Sequence, residues 1–434
     1  MKLDQILAPG AKFEPYWWEA APRPVLPEIP APGAIDVAIV GSGYTGLVAA
    51  LTLARAGRSV AVFDAEAAGW GASSRAQGHI GLIKRPFADL EAQWGRKRAI
   101  ALLQEGQAAI AFAKDLARRE NIACHLNTNG RYIAAATPGH YEALAREVDT
   151  LKREIGFNAD MVPRAEQHRE IGSDLYHGGE VRHDEAFLHT ALFHQGLLDR
   201  ARQAGAVIVP HTRVTAIGRE GAAFRVATSR GECRAGDVLI ATNAYTDGVA
   251  PDLRRRVIPI GAYGSATEPL SPERLASLLP GGRAGIDTWK LSHSFRPSPD
   301  GSRLIFGGRV SMRETDPKRS APKLYRFLMK LFPQLEGVKI SHSWTGKVAY
   351  TFQTAPHLGV RDGAHYAMGF CGYGVALGPY LGFKAAGKIL RRNDAHSPFE
   401  DLPFETRPFY YGNPWFLSAT VAWYRFLDWR ASRA

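Results

Sequence analysis

Six consecutive residues, Gly41-Ser42-Gly43-Tyr44-Thr45-Gly46, carry the plainest chemistry in this chain. Their G-x-G-x-x-G spacing suits a backbone that cradles a pyrophosphate. Gly41 permits a tight turn, Gly43 lets the main chain approach phosphate, and Gly46 lets a following helix pack closely on the strand before it. The N–H groups and positive dipole end at the helix start then face the anion. Asp64, followed by Ala65, stands where a carboxylate can accept hydrogen bonds from both hydroxyls of a ribose.

The elements that must hold these residues surround them. Asp36–Val40 is short and β-branched, Leu47–Arg55 is a run of helix formers, and Arg58–Phe63 is a second strand ending at the acid. Strand, glycines, helix, strand and acid in register predict a βαβ unit over Ala34–Asp64 that binds an adenine dinucleotide. Further along, Phe87–Glu120 predicts two helices, Gly130–Ala136 a strand, Pro138–Ile155 a helix, and Leu188–Ala204 a helix closed by Gly205 before the strand Val207–Val209. Arg213–Arg219 and Phe224–Thr228 alternate like paired strands, and Cys233–Ala241 ends as a buried one. Short strands broken by Pro and Gly dominate Val257–Arg313, and helices are expected at Lys323–Phe332 and Gly378–Leu390. The fold class is therefore α/β with mixed α+β character. A Rossmann-like dinucleotide domain is interrupted by a mainly antiparallel-sheet substrate domain. The boundaries read as an extended arm over 1–33 and a dinucleotide domain from 34–90, 160–250 and 338–393. The substrate domain takes 91–159 and 251–337, and an aromatic tail occupies 394–434.

The 434 residues carry a formal charge of +12, with dispersed arginines and no nucleic-acid motif. A nucleic-acid partner is not expected; a basic surface that steers a carboxylate-bearing substrate is. Three scattered cysteines without C-x-x-C spacing argue against a disulfide scaffold or a metal site and suit a reducing cytoplasm. Met1–Pro30 lacks the apolar core of a secretory signal, and no run of about 18 apolar residues suggests a membrane span.

After Asp64 comes Gly71-Ala72-Ser73-Ser74-Arg75-Ala76-Gln77-Gly78, small and hydroxyl-bearing, expected to open another helix. Four further segments follow in order. They are Leu239-Ile240-Ala241-Thr242-Asn243, Thr267-Glu268-Pro269 with Phe306-Gly307-Gly308-Arg309, Trp344-Thr345-Gly346 through Pro356, and Gly369-Phe370-Cys371-Gly372-Tyr373-Gly374-Val375. With these segments the chain resembles, almost end to end, the D-amino-acid oxidase / glycine oxidase / sarcosine oxidase superfamily. Within it, the resemblance is to the γ-glutamylputrescine oxidase-like branch. The resemblance implies FAD held by a glutathione-reductase-type domain, with Ser73, Ser74, Arg75, Gln77 and Gly78 around its pyrophosphate and ribityl chain. Val214, Thr242, Gly346, Gly372, Tyr373, Gly374 and Val375 complete the expected cofactor set. Backbone N–H groups at the last glycine-rich helix start would stabilise negative charge on the reduced ring.

The activity implied is oxidation of a primary or secondary amine or amino acid. Hydride passes from the carbon bearing the amine to flavin N5, and the imine hydrolyses to a carbonyl. Relatives that tether flavin do so through cysteine or histidine at positions that match Val348 and Arg75, so FAD is expected to be non-covalent. The branch often has histidine where Tyr373 stands and aspartate near Gln353, departures that bear on the substrate.

The candidate catalytic residues follow from their segments. Arg309 would clamp a substrate carboxylate or serve a structural salt bridge. Lys347 would promote the reaction with oxygen or face solvent, and Tyr350, Tyr373 and His79 would line the pocket or simply pack. Arg296 and Lys290 alternate with apolar neighbours on a strand face. The aromatic tail Phe409–Trp429 reads as a packing or dimer surface, or as a peripheral membrane anchor for a dehydrogenase that feeds quinone. A flavin hydroxylase would need an aspartate in the closing glycine segment, which GFCGYGV lacks; a flavin-bound protein without turnover is the remaining alternative.

Overall fold

Alternate residues of the strand Ala34–Val40 feed two different cores. Val37 and Ile39 pack with the helices Tyr44–Arg55 and Gly374–Ile389 on one face, and Ala38 and Val40 pack with Ala61, Phe63 and Val238 on the other. A strand buried on both faces reads as a continuous apolar run. Val60–Phe63 and the C-terminal half of Gly231–Ile240 share that character. In the computed structural model, which describes residues 3–433, they form a parallel sheet in the order 207–209, 60–63, 34–40, 231–240. The last strand divides its free edge. Its N-terminal half pairs antiparallel with Ala223–Thr228, and Leu239 and Ile240 pair parallel with His365 and Tyr366.

A nine-stranded sheet stands beside this one, in the order 7–12, 340–351, 257–267, 304–308, 293–297, 284–287, 131–134, 179–182, 159–162. It is antiparallel except where 7–12 meets 340–351 and where 284–287 meets 131–134. The helix Pro317–Leu331 covers one face through Leu324, Leu328 and Leu331. A two-residue ribbon, His79–Ile80 with Ala186–Phe187, lies between the sheets.

Several sequence expectations differ from these elements. Strands 159–162, 179–182 and 340–351 pair in the nine-stranded sheet, although the boundaries drawn from composition put them with the dinucleotide segments. The N-terminal arm is not merely extended: Leu7–Lys12 pairs as an edge strand, and Trp17 is wholly buried with Trp344 and Ile305. The segment after Asp64 opens no α-helix, only a single 3-10 turn at Ala72–Ser74, because Ser73 and Ser74 turn their hydroxyls onto neighbouring backbone groups. Within the strand-rich stretch, Pro272–Leu278 is a helix capped by Ser271. The tail contains a helix, Leu417–Ala431, whose period its uniform aromatic content concealed.

Candidate active site

The G-x-G-x-x-G turn folds as its glycines require. Gly41 sits at φ +104°, and a Cβ on Gly46 would lie 1.9 Å from the Gly41 carbonyl oxygen. Ser42 donates from both its backbone N–H (2.8 Å) and its hydroxyl (2.6 Å) to one oxygen of Asp64, and the Glu66 N–H donates to the other at 3.0 Å. The Asp64 carboxylate thus ties the turn to the second strand. Ser73 accepts the Tyr44 N–H at 3.0 Å, which joins the turn to the next loop.

Together these groups edge a crevice of about 570 Å³. Ala65, Gly71, Ala72, Val214 and Thr242 lie on its walls, as do Gly372, Gly374 and Val375 at its far end. Two helices start at the crevice, at Tyr44 and at Gly374, and neither has a side-chain cap. Of the other long helices, those that begin at Pro138, Thr190 and Pro317 have one, and those that begin at Phe87, Arg96 and Leu417 do not. Uncapped N-termini at both ends of one crevice suit a ligand with phosphates at one end and electron-rich carbonyls at the other. The residues present therefore fit FAD.

The segment 74–79 is held from outside the crevice. Ser74 donates to the Gly69 carbonyl and accepts the Trp18 indole N–H at 2.9 Å, so its hydroxyl pins the loop instead of facing the crevice. The Arg75 guanidinium lies between the rings of Trp18 and Trp70, 4.9 and 4.6 Å from their centroids, and donates to the Trp70 carbonyl at 2.6 Å and that of Thr345 at 3.2 Å. Gly78, at φ +84°, approaches Leu188 so closely that a Cβ would sit 2.1 Å from its carbonyl oxygen. Arg296, fully buried, donates to the carbonyls of Gln77 and Leu188, both at 2.8 Å, and burial lowers it to about 9. It is a clasp for this segment.

Beyond Ala72, Ala76, Lys347, Val348 and Gly372, which border both spaces, a second cavity of about 670 Å³ opens toward the nine-stranded sheet. Arg75, Gln77, His79, Arg309, Gly346, Tyr350 and Tyr373 all reach it. Arg309 donates to the Tyr350 hydroxyl and makes no ion pair among the described residues. Lys347 lies 3.5 Å from Glu314, which gives its charge a partner at the junction of the two cavities. Tyr373 accepts the Lys84 N–H at 2.8 Å, and burial pushes its phenol well up. Both ring nitrogens of His79 are buried without a partner, and desolvation holds the ring neutral. Cys371 also borders the cavity; burial raises its thiol to about 11, and it donates to the Gly369 carbonyl at 3.1 Å.

Sequence reasoning missed five residues that border these spaces. His194 borders the crevice and donates from Nε2 to the Ser42 carbonyl at 2.7 Å. Arg131 and Arg182 pair with Glu185 and Glu180 on the cavity wall, the latter pair at 2.6 Å. Lys84 enters from an irregular loop, donates to the Asp287 carbonyl at 3.0 Å, and burial lowers it to about 8. Tyr424, from the tail helix, closes part of the mouth; Asp428 on the same helix accepts the N–H groups of Lys290 and Leu291 at 2.9 and 3.3 Å. Only the alternation of Arg131 with Tyr132, and of Glu180 and Arg182 with Val181, offered a signal in the sequence.

A parallel dinucleotide sheet, its glycine turn and a second glycine-started helix sharing one crevice define a two-sheet FAD-binding oxidoreductase. The family model described as DAO, FAD dependent oxidoreductase, matches residues 36–387, and the chain belongs to that family. It is 31% identical over 427 residues to the probable oxidoreductase OrdL of Rhizobium meliloti, covering 95% of this chain and 97% of that one. It is 31% identical over 379 residues to the gamma-glutamylputrescine oxidoreductase of Escherichia coli, covering 85% and 87%. The structure of glycine oxidase from Geobacillus kaustophilus superposes with a TM-score of 0.70 at 24% identity, covering 87% of this chain and 99% of that one. No helix among the described residues is long and apolar enough to cross a membrane.

Proposed function

We propose that this flavoenzyme oxidises an amine or amino acid bearing a carboxylate, with FAD bound non-covalently. The observation that carries the reading is Arg309, a guanidinium on the cavity wall with a tyrosine hydroxyl to orient it and no carboxylate paired with it among the described residues. A planar fork so placed suits a bidentate carboxylate. The gamma-glutamylputrescine and glycine substrates named for its relatives support an amine or amino-acid donor.

Bound FAD supplies the two-electron acceptor. The protein's part is to position, to dry and to charge the site. Arg309 and Tyr350 hold the carboxylate end, and Leu82, Ile83 and Leu103 give the cavity an apolar lining that disfavours water. The amine must be neutral when its C–H bond is oxidised, and a wall rich in cations disfavours the ammonium form. Val348 offers no nucleophile for a flavin tether, Arg75 is held between two indoles, and the Cys371 thiol stays protonated. A cytoplasmic location suits three buried, unpaired thiols. The exposed rings of Trp423, Phe426 and Trp429 support peripheral contact with a membrane surface, which co-sedimentation with vesicles would reveal or dismiss.

Anaerobic addition of amines and amino acids, followed by the visible flavin band, tests the function. Bleaching by a carboxylate-bearing amine is expected, and admission of air then shows whether oxygen restores the colour. A band that no amine bleaches would overturn the reading. Acid precipitation should leave all flavin in the supernatant.

A further inference from the structure

Five arginines and three lysines line the substrate cavity, against one carboxylate, Glu147. Burial raises the pKa of Glu147, and its carboxylate accepts the Phe87 N–H at 2.9 Å. Most of the eight cations are accounted for. Arg131 and Arg182 pair with Glu185 and Glu180, and Lys347 with Glu314. Arg75 donates to two carbonyls between its tryptophans, and Arg85 donates to the Gln353 carbonyl at 2.6 Å while lying over Trp94. Lys290 is exposed and, like Arg75 and Arg85, makes no ion pair among the described residues. Among the cations without an ion-pair partner in the described residues, Arg309 and Lys84 are the two whose charged ends are each held by a single neutral acceptor, the Tyr350 hydroxyl and the Asp287 carbonyl.

Both line the cavity that Tyr373 also borders. Tyr373 accepts the backbone N–H of Lys84, and its ring neighbours Tyr350, the residue that holds Arg309. The Lys84 ammonium uses one of its three donors, on the Asp287 carbonyl. Asp287 itself does not pair with it, because that carboxylate accepts the N–H and ring of His293 at 3.0 Å and the Tyr176 hydroxyl at 3.3 Å. Two cations without a carboxylate partner border the same cavity, Arg309 half-buried and Lys84 surrounded by protein yet keeping solvent-accessible surface, and together they suit two anions of one ligand.

We propose that Lys84 forms a second anion subsite, so that the preferred substrate is an amine carrying a second carboxylate in addition to the one at Arg309. The proposal rests on the carboxylate reading of Arg309 and adds to it. Lys84 faces Asp287, Glu180, Arg131, Arg182 and His140 from the surrounding elements, and burial sets it near 8. Protonated below that pH, it holds the second anion; above it, the subsite fades.

Isothermal titration of the FAD-loaded protein with redox-inert ligands tests this apart from turnover. The ligands are straight-chain dicarboxylates from malonate to adipate and the monocarboxylates of equal carbon number. At pH 7, at least one dicarboxylate should bind about tenfold tighter than its monocarboxylate, the scale of one charge-assisted contact. Lys84→Met should bring that ratio close to one, Lys84→Arg should retain it, and Arg309→Met should weaken both ligand classes. Raising the pH from 7 to 9 should shrink the ratio in the wild type and leave it unchanged in Lys84→Arg. Equal affinities for the two classes throughout the wild-type series, or a dicarboxylate preference that survives Lys84→Met, would overturn the proposal. Failure of amines to bleach the flavin would instead sink the functional reading alone, because these titrations do not depend on it.

Discussion

The two cavities are built on opposite plans. In the crevice, backbone does the work: glycines let chains approach, helix starts supply charge, and the side chains that line it, Ser42, Asp64, Ser73 and His194, already bond to one another or to main chain. In the substrate cavity, the work falls to long charged side chains from many segments, several of them held in place by carbonyls or aromatic rings and two, Arg309 and Lys84, by a single neutral acceptor each. A site made of backbone tolerates changes of charge and fails on changes of shape. A site made of cations does the reverse.

The largest expected effect would strike shape in the crevice. Gly46→Val puts atoms where the Gly41 carbonyl already stands, so the variant should purify without flavin or not fold at all, read as the flavin-to-protein ratio. Next comes charge in the cavity: Arg309→Met should raise KM for a carboxylate substrate by about 10- to 100-fold while flavin content stays full. Asp64→Ala probes a residue that serves both function and form. It should weaken FAD binding about tenfold and also lower the Tm of the flavin-free protein, because Ser42 and Glu66 lose their acceptor. If the flavin-free Tm does not move, Asp64 is a ribose ligand only.

A pH series should separate the two regions. On the sheet that carries the crevice, His357 is buried and its pKa falls to about 3. The unfolded chain binds that proton near 6.5 while the native state refuses it, so stability declines as pH falls from about 6.5 toward 3. Thermal melts should show this decline, and His357→Gln should flatten it. The smallest effect expected is from salt. Raising ionic strength should increase KM for an anionic substrate about twofold and leave flavin retention untouched.

What was legible follows the same division. A backbone site writes itself as glycines in local register, so Gly41–Gly46, Asp64 and the Gly369–Val375 segment could be read directly, and the parallel sheet with them. Ser74 was misread as facing the cofactor because a hydroxyl in that loop can turn either way, and only Trp18, far away in sequence, decides it. Lys84 and the Arg131–Glu185 and Arg182–Glu180 pairs left no local pattern. Their meaning lies in distances across strands 131–134 and 179–182, which the sequence separates widely. Arg309 was found through its segment, but its lack of a partner is a fact of three dimensions.

The strand Gly231–Ile240 has a consequence for the order of assembly. It lies against Ala34–Val40 on one edge and Ala364–Met368 on the other. The dinucleotide turn leaves the ribosome early with one neighbour, Val60–Phe63, but the strand that closes its other edge, 231–240, follows only past the middle of the chain, and 364–368 later still. Until then Val37–Val40 is an apolar strand with an open edge, which is the hazard that long-range pairing imposes on slow folders. Newly made chains should therefore need shielding during synthesis, and FAD can be captured only near the end of it, as the last step of folding.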